Sequence, residues 1–177
     1  EVASFGGLLD VVRRVRPLVG LPILRKDFLR SAADMSETRD AGAQAVLLTV
    51  DLMEEDLLAE LYAAAWEAGL ETLVEVHDEA DLDRVAALGP HPDLLGINNR
   101  DIRVGETDEG DVSLTERLAR RLPGGSAVLS ESGIAGPDDA RRARDAGADA
   151  VLVGTAILAA PDPAAAIRAL VGVGWPA

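Results

Sequence analysis

Lys26, Glu75, Asn98, Arg100, Glu131, Ser132, Gly133, Gly154 and Thr155 each stand at or near the end of a short aliphatic run. Their types suit acid–base chemistry beside an anion site. Lys26 follows Leu21 to Arg25 and precedes Asp27-Phe28. On a surface it would be a solvated charge; at the end of a buried strand, desolvation would lower its pKa and make it a usable general acid. Glu75 interrupts Leu73-Val74-Glu75-Val76, where a carboxylate is too costly to bury without a partner or a purpose. A structural ion pair is the alternative to catalysis. Asn98 suits a turn cap, and the planar fork of Arg100 suits either a surface charge or a substrate carboxylate. Ser132-Gly133 and Gly154-Thr155 fit ordinary strand-to-helix turns, yet their small size would let backbone N–H groups approach an anion. Loops after the last two strands of a (β/α) barrel often hold phosphate in that way.

The elements that must position these residues alternate along the chain. Strands are expected at Val19 to Leu24, Ala45 to Val50, Thr72 to Val76, Leu94 to Ile97, Ala127 to Ser130 and Ala150 to Val153. Helices are expected at Ser31 to Ala41, Glu54 to Ala68, Glu79 to Leu88, Pro137 to Ala146 and Pro163 to Val171, the second with Leu57, Leu58, Leu61 and Ala65 at helical spacing. Near-continuous aliphatic strands belong to parallel sheets covered by helices. Asp40-Ala41-Gly42-Ala43-Gln44-Ala45-Val46-Leu47 recurs as Asp145-Ala146-Gly147-Ala148-Asp149-Ala150-Val151-Leu152, differing only at Gln44 and Asp149. Each copy reads as a helix ending at Gly and turning directly into a strand. No linker divides residues 1–177, so a single domain is expected. Arg103 to Ser113 reads as a solvated acidic loop or, alternatively, a lid.

With 17 Lys plus Arg against 31 Asp plus Glu, the formal charge of −14 argues against nucleic acid. A small anion can still be held by local cations and N–H groups. There is no Cys and only His77 and His91, so no metal centre is expected; no cofactor is expected either. No apolar run approaches the roughly 20 residues of a membrane span, and no signal-like segment is visible. A cytoplasmic location is therefore expected. The chain begins Glu1-Val2 without Met, as a processed product or a fragment would.

In order, the motifs Phe5-Gly6-Gly7, Leu21-Pro22-Ile23-Leu24-Arg25-Lys26-Asp27-Phe28, Leu73-Val74-Glu75-Val76-His77, Gly96-Ile97-Asn98-Asn99-Arg100-Asp101, Ser130-Glu131-Ser132-Gly133-Ile134 and Val153-Gly154-Thr155 resemble indole-3-glycerol-phosphate synthase of tryptophan biosynthesis. The resemblance covers essentially the whole chain. It implies an α/β fold, a (β/α)₈ TIM-barrel type that is incomplete, with about six βα units corresponding to strands 3 to 8. The implied reaction is ring closure, decarboxylation and dehydration of 1-(o-carboxyphenylamino)-1-deoxyribulose 5-phosphate.

By that likeness Lys26 is the general acid and Glu75 assists later proton removal and dehydration. Asn98, Glu131 and Ser132 orient the substrate and Lys26, while Gly133, Gly154 and Thr155 bind phosphate. Phe5, Phe28 and Leu47 line the slot for the anthranilate ring, and Arg100 lies near its carboxylate. The family's first strand carries a further Lys and Glu and a phosphate-contacting Ser that have no counterpart in these residues. Self-association, or a chain supplying the missing strands, is expected as a result. Two other readings are a non-catalytic paralogue or partner-binding subunit that keeps a phosphate site, and a different barrel enzyme acting on a sugar phosphate.

Overall fold

A computed structural model gives the structure of residues 9–100, 110–122 and 124–175. Strands and helices alternate in it. The strands are β1 (Leu24–Arg25), β2 (Ala45–Thr49), β3 (Glu71–Val76), β4 (Leu94–Asn98), β5 (Ala127–Glu131) and β6 (Ala150–Leu152). The helices are α1 (Leu9–Val15), α2 (Ala32–Ala41), α3 (Glu55–Glu67), α4 (Glu79–Ala86), α5 (Ser113–Leu118), α6 (Pro137–Ala146), α7 (Thr155–Leu158) and α8 (Pro163–Val171). The chain forms two compact units, one built of the described residues up to Glu75 with Asp83–Leu94, the other of Val76–Leu82 with those from Leu95 onward.

In the first unit β1, β2 and β3 are parallel neighbours, with Leu24 opposite Ala45, Ala45 opposite Glu71 and Thr49 opposite Glu75. All five residues of β2 are buried, which explains its unbroken apolar run: a strand covered on both faces has no polar side to show. Leu58, Leu61 and Ala65 are the buried stripe of α3, spaced as one face of a helix requires. Arg25 reaches α2, donating to the Thr38 hydroxyl at 2.7 Å and pairing with Asp27 at 3.0 Å. Because successive strand residues point to opposite faces, Lys26 is turned away from α2.

The second unit holds β4, β5 and β6 in that order, with β5 and β6 parallel and Leu129 opposite Ala150. Ala140, Ala143 and Ala146 are the buried face of α6, and their small size suits close packing against neighbouring elements.

The repeated sequence forms the same joint in each unit. Gly42 (φ 95°) and Gly147 (φ 115°) end α2 and α6 in the left-handed region that glycine adopts without strain. Their N–H groups return to Arg39 and Arg144, both at 2.9 Å. The position at which the copies differ still does the same thing in both, since Gln44 accepts the Ile23 N–H at 2.9 Å and Asp149 accepts the Val128 N–H at 2.8 Å. Asp93 does likewise for Thr72 at 3.2 Å. A side-chain oxygen just before one strand thus satisfies a donor at the start of the preceding one.

Three expectations are corrected. The run from Val19 is not a strand until Leu24, since a 3₁₀ turn at Arg16–Leu18 leads into it and Pro22 has no N–H to give a ladder. Val19 and Leu21 are 37% and 73% exposed, so the run's apolar character does not mark a core. Val50 belongs to a 3₁₀ turn, Val50–Leu52, that ends β2. The short helices α1, α5 and α7 are not legible in the sequence, being only one or two turns long. Of the acidic stretch, Arg103 to Glu109 lies outside the described residues, and Ser113 begins α5.

Candidate active site

Lys26 and Glu75 meet in the first unit. The ammonium lies 3.4 Å from Glu75 Oε2, with the Lys26 side chain 39% exposed and the Glu75 side chain fully buried. Thr49, opposite Glu75 in the β2–β3 register, donates its hydroxyl to Glu75 Oε1 at 3.3 Å. One carboxylate oxygen therefore faces a cation and the other a hydroxyl, which offsets the cost of burial. The ion pair allowed for Glu75 is formed, and its partner is Lys26, the candidate acid. Chemically the pair offers an ammonium that reaches solvent at one end and a buried carboxylate at the other.

The turn carrying Lys26 is held by Asp27, which accepts the Phe28 N–H at 2.9 Å while pairing with Arg25. Phe28 is half-buried. Leu47 is only 2% exposed and lies opposite Leu73, one pleat before the Thr49–Glu75 pair on the same face. Phe5 lies outside the described residues.

The remaining candidates belong to the second unit. Asn98 is fully buried and accepts the Arg100 N–H at 3.1 Å, the turn-capping geometry. The half-buried Arg100 follows it. On the next strand Glu131 is fully buried, and its carbonyl accepts the Asn99 N–H at 2.8 Å. Ser132 has φ 61°, the one positive value among described non-glycine residues, and Gly133 follows at 66°. A Cβ on Gly133 would lie 3.1 Å from the backbone of Asp111. Glycine is thus required there by chain approach as well as by conformation. Asp111 itself is tethered: Ser113, through its hydroxyl and N–H, and then Arg142 hold its carboxyl below the usual range. Arg142 also clasps Glu116 with two bonds of 2.9 and 3.1 Å. After β6, Gly154 precedes the single turn of α7 and Thr155 begins it, both exposed.

Two partners are not picked out by the sequence reading. Thr49 is submerged within Leu47 to Val50, although a Thr ending an aliphatic strand is the signal that could have found it. Asn99 is overshadowed by Asn98, yet its side chain is the busier one: its Nδ2 lies 3.0, 2.9 and 3.1 Å from Ser130 Oγ, Glu131 O and Ser132 O.

Known proteins resemble this chain in sequence and in fold. A family model described as indole-3-glycerol phosphate synthase matches residues 1–170. The indole-3-glycerol phosphate synthase of Thermococcus kodakarensis is 47% identical over 96% of this chain and 73% of its own length. That of Pyrococcus furiosus is 44% identical over 94% of the chain and 72% of its length, and that of a Nocardioides species 43% over 98% and 65%. Among solved structures, 3-hexulose-6-phosphate synthase from Salmonella typhimurium superposes with a TM-score of 0.77 at 19% identity, covering 93% of this chain and 79% of the other. Orotidine 5'-phosphate decarboxylase from Pyrococcus horikoshii does so with 0.71 at 20%, covering 97% and 82%. The fold is accordingly α/β, an incomplete (β/α) barrel of about six βα units. With a family match over nearly all its residues and relatives above 40% identity, the chain belongs to the indole-3-glycerol phosphate synthase family.

Proposed function

We propose that this chain carries the working residues for closing the indole ring of 1-(o-carboxyphenylamino)-1-deoxyribulose 5-phosphate, with Lys26 as general acid. The observation that carries the reading is the ammonium of Lys26 3.4 Å from the buried carboxylate of Glu75, the two standing at the ends of strands β1 and β3 of one unit. As the aromatic ring carbon attacks the ribulose carbonyl, negative charge develops on the carbonyl oxygen. A cation already in place stabilises that charge without reorganisation and then gives up its proton. Loss of carbon dioxide returns the bonding pair to the ring, and loss of water completes the double bond. Glu75 takes a proton in this later stage.

In this reading Asn98, Glu131 and Ser132 orient the substrate, Phe28 and Leu47 line the ring slot, to which the family likeness alone assigns Phe5, and Arg100 serves the carboxylate. Gly133, Gly154 and Thr155 bind the phosphate. No described helix is long and apolar enough to cross a membrane, and we place the protein in the cytoplasm. This chain spans 73%, 72% and 62% of three relatives' lengths. Self-association, or a further chain supplying βα units, completes the working assembly in this reading.

NMR titration with the substrate, and separately with inorganic phosphate, tests it. Amides of Gly133 and Gly154 are expected to move with both ligands and that of Phe28 with the substrate alone. Saturating substrate that moves none of them would overturn the assignment.

A further inference from the structure

Asn99 is the centre of a closed hydrogen-bond ring. Its Oδ1 accepts the Thr115 N–H at 3.0 Å, and a backbone N–H can only donate. Its Nδ2 faces the carbonyl oxygens of Glu131 and Ser132, which can only accept. The orientation of the amide is thereby fixed. Thr115 Oγ1 donates to Asn99 Oδ1 at 3.0 Å, so its own acceptor side faces the Ser130 hydroxyl at 2.7 Å, and Ser130 in turn accepts from Asn99 Nδ2 at 3.0 Å. Every donor in the circuit Asn99 → Ser130 → Thr115 → Asn99 has an acceptor. In such a ring each bond polarises the next, so removing one member weakens the others as well.

All three side chains are buried, with Asn99 9% exposed and Thr115 and Ser130 at 0%. The ring grips three consecutive residues, Ser130, Glu131 and Ser132, just where the chain enters the left-handed pair Ser132-Gly133. Alternation along the strands turns Asn98 and Glu131 to the opposite face from Asn99 and Ser130. The ring therefore sits behind the residues assigned to the site and touches them through the backbone.

From this geometry we infer that Asn99, with Thr115, is a positioning residue that sets the Glu131 side chain and aims the N–H groups of Ser132 and Gly133. The inference rests on the proposed reading of Glu131 and Gly133 as site residues. Asn99 touches no substrate in it. What it supplies is the conformation of the peptide units from Ser130 to Gly133, including a non-glycine residue held at φ 61°. Ser132 adopts that strained region only while its surroundings over-determine it.

The test compares wild type with N99A, T115V and T115S by amide hydrogen exchange and by NMR titration with inorganic phosphate. T115V keeps the shape and the backbone N–H of Thr115 while opening the ring, and serves as the milder variant should N99A fold poorly; T115S restores the hydroxyl. N99A and T115V are expected to speed exchange at Ser132 and Gly133 and to weaken phosphate about tenfold, the effect of losing one buried bond. Exchange at Thr49 and Val74 should stay as in wild type, and T115S should restore both properties. Unchanged exchange and affinity in T115V would overturn the inference, as would equal acceleration at Thr49 and Val74, which would mark a general loss of stability. If wild type itself binds no phosphate at Gly133, the phosphate assignment fails while the exchange comparison still decides the role of Asn99.

Discussion

Glu75 shows why a carboxylate in an aliphatic strand is informative: it is fully buried, and its two oxygens divide between Lys26 and Thr49. Lys26→Ala is expected to lower turnover about 10²- to 10⁴-fold, the usual contribution of a positioned acid, with little change in KM. Steady-state kinetics checks this, and an unaltered kcat would contradict it. Thr49→Val keeps the side chain's shape but removes a donor to a charged group. It should therefore destabilise the fold by about 1.5–3 kcal/mol in urea titration, whereas Thr49→Ser should remain near wild type. At Gly133 a side chain would meet both positive φ and the backbone of Asp111 at 3.1 Å. Gly147 has positive φ too, but the nearest atom is a methyl at 3.9 Å. Gly147→Ala should cost roughly 1 kcal/mol, and Gly133→Ala clearly more, as compared by thermal unfolding.

At the scale of elements, much is legible in the sequence because periodicity and punctuation agree. Pro137 to Ala146 is found as expected, bounded by a first-turn proline and a left-handed glycine, and β2 and β5 differ from expectation by one residue at their ends. Val19 to Leu21 misleads because an apolar run carries no information about what covers it. Asn99 and Thr115 are not legible as partners, since 16 residues separate them in the chain and only the fold brings them together. The α2 start offers a titration test. Desolvation pushes the Asp34 carboxyl up, but bonds from the Arg30 and Ser31 N–H groups and the Ser31 hydroxyl, with the Arg25 charge, bring it below its ordinary value. A depressed carboxylate contributes stability that is present above its unfolded pKa of about 3.9 and is lost as pH falls through the folded value. Asp34→Ala should thus cost roughly 1 kcal/mol near neutrality, as capping groups do. The difference from wild type should shrink below about pH 4; a gap that stays constant from neutrality down into that acid range in urea titrations would refute this.

For the whole molecule, exposed apolar side chains and charge act against each other. The residues of β6 are half-buried where all of β2 is buried, and Leu158 and Val171 are 83% and 66% exposed. Apolar side chains exposed in this way favour association, while a net charge of −14 opposes it. Light scattering should therefore show a mass that rises with protein concentration and more steeply as salt screens the charge; a monodisperse monomer from low to high salt would contradict that. The central claim, that these residues perform the family's ring closure, is tested most directly by following indole-3-glycerol phosphate formation with this chain, alone and mixed with a polypeptide carrying the first two βα units of a relative. Slow turnover alone, faster in the mixture and abolished by Lys26→Ala in this chain, is the result expected. A mixture that binds substrate but forms no product, or product formed as fast with Lys26→Ala as without it, would contradict the account.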